Sequence, residues 1–352
     1  MEKKAMLAAV TDRLKTAESV TDLRFCHDEL VRELRRWLAL EHIEQLAEEV
    51  VGVHEAMFRR VFFLAEQETV KGAVGIRPSA WCWYVMGSIG RREPTVWTDQ
   101  DHGILFTCVR EEEKGCYEFI RHMAAIGTKM LYEIGYPYCS GYVMATNKRW
   151  AQSMSDWERQ LSSYLDGGWP NDLRFLYIAM DMRPLYGDVE LADAGRRALF
   201  AEVADRPLLL ARMGEHVQFP RVPLGWFGNV QTERWGPHSG AIHMKQSGYV
   251  QIANALKWLA CLTRVPAVTT LERQRMLAES GALPSALSID VQEALAVYYY
   301  IRLKYSTEVE DGREYVLWQT LNRAEQKQLK QAMRTAKRLQ RFVARRVVGM
   351  YE

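Results

Sequence analysis

The pattern of apolar and polar positions divides the chain into three stretches. From about residue 22 to 68, apolar side chains recur every three or four residues: Leu30, Leu34, Trp37 and Leu38, then Leu46, Val50, Val53, Met57 and Val61. Such spacing gathers them on one side of a helix and predicts two or three α-helices. No proline interrupts them, and Gly72, Gly75 and Pro78 punctuate the exit.

The period then shortens. "AWCWYVMG" (80–87) is rich in aromatic and β-branched residues, bounded by turn formers, and reads as a buried strand. "HGILFTCV" (102–109) reads as a second strand. Residues 111–135 read as a helix that opens on three glutamates, keeps Phe119, Met123, Ile126 and Met130 on one face, and stops at Gly135. "YCSGYVMAT" (138–146) reads as a third strand. Beyond about 190 the helical period returns, most clearly over 248–262, 269–280, 288–305 and 322–347. Asn322 stands three residues before Glu325, the spacing of a capping box. The pattern predicts an α+β protein: an N-terminal helical region (1–75), a small mixed-sheet domain (76–190) and a C-terminal α-helical bundle domain (191–352).

Composition narrows the picture. The 352 residues are 48% hydrophobic and 26% charged, as in ordinary globular proteins, and suit two or three packed units. Lys+Arg 46 against Asp+Glu 44 leaves +2, so bulk charge predicts neither nucleic-acid nor membrane binding. Six scattered cysteines without a CxxC pair argue against a zinc ribbon or a disulfide framework. The N-terminal apolar patch is too short for a signal segment, and no apolar run reaches the roughly 18–20 residues that span a bilayer. A cytoplasmic location is the expectation.

The chemistry concentrates in "MGSIGRREPTVWTDQDHGILF" (86–106). On a strand, Asp99 and Asp101 share one face, whereas Gln100 and His102 point to the other. Two like charges so close repel, and a divalent cation between them relieves the repulsion; oxygen ligands of this kind suit Mg²⁺ or Mn²⁺. Ahead of them, Gly87 and Gly90 let the backbone approach a ligand, Ser88 offers a hydroxyl, and Arg91 and Arg92 add charge suited to phosphate oxygens. An anion cradle beside a metal-binding carboxylate pair equips a protein for phosphoryl or nucleotidyl transfer. The segment is neither a P-loop nor a dinucleotide fingerprint, because its turn leads into a second strand.

"GSIGRRE…TDQD" resembles the polymerase β-type nucleotidyltransferase signature, and its variant is similar to the branch of PII-protein uridylyltransferases and glutamine synthetase adenylyltransferases. Closer still is an uncharacterised bacterial family of nucleotidyltransferases commonly fused to CBS and cyclic-nucleotide-binding domains. "GYPYCSGYVMATNKRW" (135–150) and "AMDMRPLYGD" (179–188) look like that family's later blocks, and "HSGAIHMKQSG" (238–248) with "TTLER" (269–273) looks like its C-terminal helical domain.

The resemblance implies that Gly87 and Ser88 hold a triphosphate, that Asp99 and Asp101 bind metal, that Arg91 contacts phosphate and that Glu93 braces the loop. It implies a third acidic residue from a later strand; "SGYVMAT" has none, and Asp181 is the best remaining choice for a catalytic base, against a structural pairing with Arg183. At His243 the family more often carries an aspartate, two residues before Lys245. Lys245, Arg302 and Lys304 are the candidates for substrate contact in the C-terminal domain. The sequence shows no CBS or cyclic-nucleotide module, so any ligand-sensing partner is expected to be a separate regulatory protein or absent.

The implied activity is metal-dependent transfer of an NMP moiety from a nucleoside triphosphate to a protein or small-molecule hydroxyl, with pyrophosphate released, in a regulatory role. The alternative is a nucleotide-binding regulator of the same fold with weak or no catalysis. A third reading uses the basic face of the last helix, from Lys327 to Arg346, for nucleic acid; the near-neutral charge weighs against it. His102, turned away from the aspartates, reads as structural. Trp81 and Trp83 read as core, with the small Cys82 facing the opposite side.

Overall fold

The structure, a computed structural model, describes residues 2–34, 43–167, 170–225, 228–305 and 313–351. Trp37 and Leu38 of the first helical pattern lie outside them. The chain forms two compact units, one built from described residues of Met1–Trp37, Gln45–Asp166 and Ile178–Leu199, the other from those of Leu38–Glu44, Gly167–Tyr177 and Phe200–Glu352. As the periodicity predicts, this is a mixed α/β protein with a small mixed sheet and helical N- and C-terminal parts.

In the first unit, helices α1 (Glu2–Thr16), α2 (Val20–Leu34) and α3 (Ile43–Lys71) precede strand β1 (Ala80–Val85). A single helical turn, α4 (Gly87–Gly90), leads to β2 (His102–Thr107), which is followed by α5 (Glu113–Ile134), β3 (Ala151–Ser153) and α6 (Met154–Gly167). α7 (Pro170–Ala179) falls mostly in the second unit; in the first, β4 (Arg183–Gly187) completes a four-stranded sheet in the order β3-β2-β1-β4, and α8 (Val189–Ala204) follows. β1 runs antiparallel to both β2 and β4, and β3 runs parallel to β2.

The sheet is buried on both faces. Trp83, fully buried, stacks on Phe62 of α3 with ring centroids 4.1 Å apart, and the ring of His102 meets both edge-on. Gly127 of α5 closes against the same tryptophan. On the opposite face, Leu105 lies against Gly195 of α8, which also touches Trp157 of α6. Trp81 and Cys82 are buried too, in keeping with their reading as core.

One predicted strand is absent. Residues 138–146 form turns: Tyr142 N–H donates to the Cys139 carbonyl (2.9 Å) and Tyr142 takes φ +56°. Ser140 and Gly141 favour a reversal there over an extended run. The strand that pairs with β2 is the three-residue β3, too short to show a period. β4 and helices α6 and α7 also escaped the sequence reading.

The second unit carries α9 (Pro207–His216), β5 (Ala241–His243), a π-type turn (Lys245–Tyr249), α10 (Val250–Leu262), α11 (Thr270–Glu279), α12 (Ser285–Tyr305), β6 (Tyr315–Leu317) and α13 (Arg323–Val348). The β5–β6 antiparallel pair was not anticipated. α10 is the central helix, with Trp258 Nε1 donating to the Leu210 carbonyl (2.7 Å). α13 starts with the expected capping box of Asn322 and Glu325. Its apolar stripe of Leu329, Met333, Ala336, Leu339, Val343 and Val347 is buried. On its basic side, Lys337 donates to the Leu224 carbonyl, Arg346 to the Ala282 carbonyl, and Arg338 pairs with Asp290, which leaves less of that face for nucleic acid.

Replacing Trp83 by alanine removes the ring stacked on Phe62 of α3 and is expected to cost about 3–5 kcal/mol, read as a lower urea midpoint.

Candidate functional site

Residues 99–102 run extended into β2, with Asp99 and Asp101 just ahead of its first residue and Gln100 bridged to Tyr138. Alternation then sorts the side chains. Gln100 and His102 are both fully buried and bonded to each other, His102 Nε2 lying 2.9 Å from Gln100 Oε1. Gln100 Nε2 donates to the carbonyls of Thr128 and Tyr136, and His102 Nδ1 accepts from the Ala145 N–H. With Nδ1 accepting, the proton sits on Nε2 and the ring is neutral. Burial pushes the His102 pKa down to about 3, which fits that state.

The two aspartates take the other direction and are half-buried. Asp99, Asp101 and Cys139 form a group whose ligand atoms all lie within 4.8 Å of one another. Cys139 was not a candidate in the sequence; only its place in the "GYPYCSG" block beside the aspartate motif hints at it. Its thiol is pushed well above the usual range by burial first, then by the charges of Asp101 and Asp99.

The α4 turn closes on this group. Met86 N–H donates to the Asp101 carbonyl (2.9 Å), and Gly87 takes φ +56°. A Cβ at position 87 would stand 2.0 Å from Asp101 Oδ2, so only glycine lets the backbone pass so close to the carboxylate. Ser88 is buried, its hydroxyl 2.8 Å from that of Thr98, which ties the turn to the segment leading into Asp99. Gly90 has no room for a side chain against the Asp181 carbonyl.

The cations behind the turn are ion-paired. Arg91 lies between Glu93 and the fully buried Asp181, whose Oδ2 is 2.6 Å from Arg91 Nη1. Arg92 pairs with Glu48 and Glu55 of α3. Arg183 pairs with Glu55 and donates to the carbonyls of Ile89 and Gly90. Asp181 is thus placed on Arg91, and among the described residues it does not enter the Asp99–Asp101–Cys139 group.

In the second unit, Lys245 and Arg302 are brought together on Glu314. Lys245 Nζ lies 3.0 Å from Glu314 Oε1, and Arg302 donates to both carboxylate oxygens over the ring of Tyr249. Burial opposes the charge of Glu314, but Arg302 and Lys245 outweigh it and hold the carboxyl down at about 2. Lys304 is not part of this cluster; it pairs with Glu325 at the start of α13 (2.6 Å). His243 lies against Tyr315.

The donor set of the first unit fits a divalent cation: two carboxylates and a sulfur converge, with the backbone held close by Gly87.

Buried neutral His102 and His54, both pushed to about 3 by burial, make the fold acid-sensitive. The unfolded chain binds a proton at each near pH 6.5 while the folded chain does not, so stability falls as pH drops from about 6.5 toward 3. Between pH 7 and pH 5 the expected loss is about 2 kcal/mol per histidine. Urea unfolding at both pH values checks this, and His102→Gln is expected to shed roughly half of the pH dependence.

Comparison with known families agrees with the geometry. Residues 27–171 match the family model described as "Putative nucleotidyltransferase DUF294", and residues 207–347 match "Putative nucleotidyltransferase substrate binding domain". A comparison with the curated proteins finds no match. Among the described residues, no helix is long and apolar enough to cross a membrane. The two family models follow one another along the chain, and both support a nucleotidyltransferase family.

Proposed function

We propose that the protein is a metal-dependent nucleotidyltransferase that moves an NMP moiety from a nucleoside triphosphate to a hydroxyl and releases pyrophosphate. The convergence of Asp99 and Asp101 beside the Gly87 turn carries this reading. A bound Mg²⁺ or Mn²⁺ supplies neutralisation of charge on the α-phosphate. The carboxylates of Asp99 and Asp101 hold that ion, and the Gly87–Ser88 backbone lies where the triphosphate approaches.

Arg91 and Glu93 act from behind the turn. Arg91 is engaged by Glu93 and Asp181, so its contribution to phosphate binding is to fix the loop and supply positive potential. Asp181, held on a guanidinium, serves better as that arginine's anchor than as a base for the acceptor hydroxyl. Within the substrate-binding domain, Lys245 and Arg302 are the cations suited to an acidic acceptor, and Lys304 stabilises the start of α13. The acceptor is a protein or a small molecule. The domain boundaries at about residues 75 and 190 separate helical, nucleotidyltransferase and substrate-binding parts.

A second reading, a nucleotide-binding regulator with little or no transfer, draws on one observation: no third carboxylate joins Asp99 and Asp101 among the described residues.

Incubation with each α-labelled nucleoside triphosphate, Mg²⁺ or Mn²⁺ and cell lysate separates the two. Transfer of label that falls by about 10²-fold or more in Asp99→Asn or Asp101→Asn supports catalysis. Metal-dependent nucleotide binding without transfer to any acceptor supports the regulator. Equal nucleotide–metal binding by wild type and both variants would show that the metal site is misassigned.

A further inference from the structure

The sulfur beside the two carboxylates is held as firmly as they are. Cys139 belongs to a loop zipped along both sides of the aspartate segment: Gln100 N–H donates to the Pro137 carbonyl (3.2 Å), His102 N–H to the Val143 carbonyl (3.1 Å), and Ala145 N–H to the His102 ring. The turn from Cys139 to Tyr142 closes between those attachments. Only 8% of Cys139 is exposed, and its Sγ faces Asp99 and Asp101 within 4.8 Å. Of the six cysteines, it alone enters a group of three ligand-bearing side chains among the described residues.

The Cys139 thiol is hydrogen-bonded to Asp101, so a divalent cation that reaches the two carboxylates meets a sulfur already directed at them. Asp181 is paired with Arg91, and among the described residues the third ligand-bearing side chain beside Asp99 and Asp101 is Cys139. Oxygen donors suit Mg²⁺, whereas a thiolate raises affinity for softer ions in the order of ligand softness.

We propose that Cys139 is the third protein donor of the divalent-metal site, and that this mixed carboxylate–sulfur set selects a thiophilic divalent ion, Zn²⁺, over Mg²⁺. The proposal rests on the metal-dependent reading above. As the metal–sulfur bond forms, the thiol proton leaves to solvent.

The probe is Cd²⁺, whose bond to sulfur gives a charge-transfer absorption in the ultraviolet. The full chain is titrated with Cd²⁺ and, separately, with Mn²⁺ followed by electron paramagnetic resonance. Wild type is expected to develop the band with one equivalent of Cd²⁺. Cys139→Ser and Cys139→Ala lose the band and bind Cd²⁺ about 10-fold or more weakly, while Mn²⁺ remains bound through the aspartates. The double variant Asp99→Asn/Asp101→Asn also loses the band. Cys139→Asp is expected to shift preference back toward Mg²⁺.

A band that persists in both Cys139 variants places Cd²⁺ on another cysteine and overturns the proposal. Mn²⁺ bound equally by wild type and Cys139→Ser, with no Cd²⁺ band in wild type, also overturns it while the nucleotidyltransferase reading stands. Folded wild type that retains neither ion, with or without nucleoside triphosphate, overturns both.

Discussion

Everything at the site depends on one buried contact, the hydrogen bond between His102 and Gln100. These two residues fill the core-facing positions of the segment entering β2, and each makes further bonds to the surrounding backbone. Because an extended chain alternates faces, fixing positions 100 and 102 fixes 99 and 101 as well. The network must be neutral to exist, since Nδ1 accepts from Ala145 and a second ring proton would remove that bond. A polar core thereby positions two charges without neutralising them.

The turn in front of the aspartates is held by a different physics. Arg91, Arg92 and Arg183 meet Glu48, Glu55, Glu93 and Asp181 in a network behind α4. Buried ion pairs add little net stability once desolvation is counted, but removing one partner strands the other. Their worth here is geometric. Arg183 takes the carbonyls of Ile89 and Gly90, so the end of a four-residue turn is held from outside as well as by its own backbone bonds. The sequence displayed these arginines as charge next to a glycine turn. Which carboxylates would claim them depends on α3 and on the turn before β4, far away along the chain, and no local pattern carries that.

The same distinction governs what was legible elsewhere. β1, β2 and α5 declared themselves because their burial is one-dimensional: a run bounded by turn formers, or a face repeating every three to four residues. The outward pairing of Asp99 with Asp101 follows from alternation alone. β3 spans three residues and β5–β6 three each, too short for a period, and their pairing is set by tertiary contacts. "SGYVMAT" looked like a strand because Tyr, Val and Met favour one; the turn won because Cys139 to Tyr142 reverses and Val143 then bonds back to His102. Cys139 was missed for a related reason. Its neighbours in sequence are a turn, whereas its neighbours in space are the aspartates.

The second unit shows how far local charge can mislead about availability. Lys245 and Arg302 converge as a substrate cradle would, yet Glu314 already answers both, and its carboxyl is held at about 2 by them. An anionic acceptor arriving here competes with an internal carboxylate that is largely desolvated. Such competition costs affinity for any weak anion and spares only ligands that offer more than one charge or displace Glu314 outright. Gly248, at φ +152° in the π-type turn between Lys245 and α10, packs against the hydroxyl of Tyr298 on α12. Lys245 is therefore carried on backbone that is locked to the helix bearing Arg302, and the spacing of the two cations is set by the fold and not by the ligand. If the proposed acceptor binds at this cluster, its selectivity would follow from that fixed spacing together with the carboxylate already seated between them.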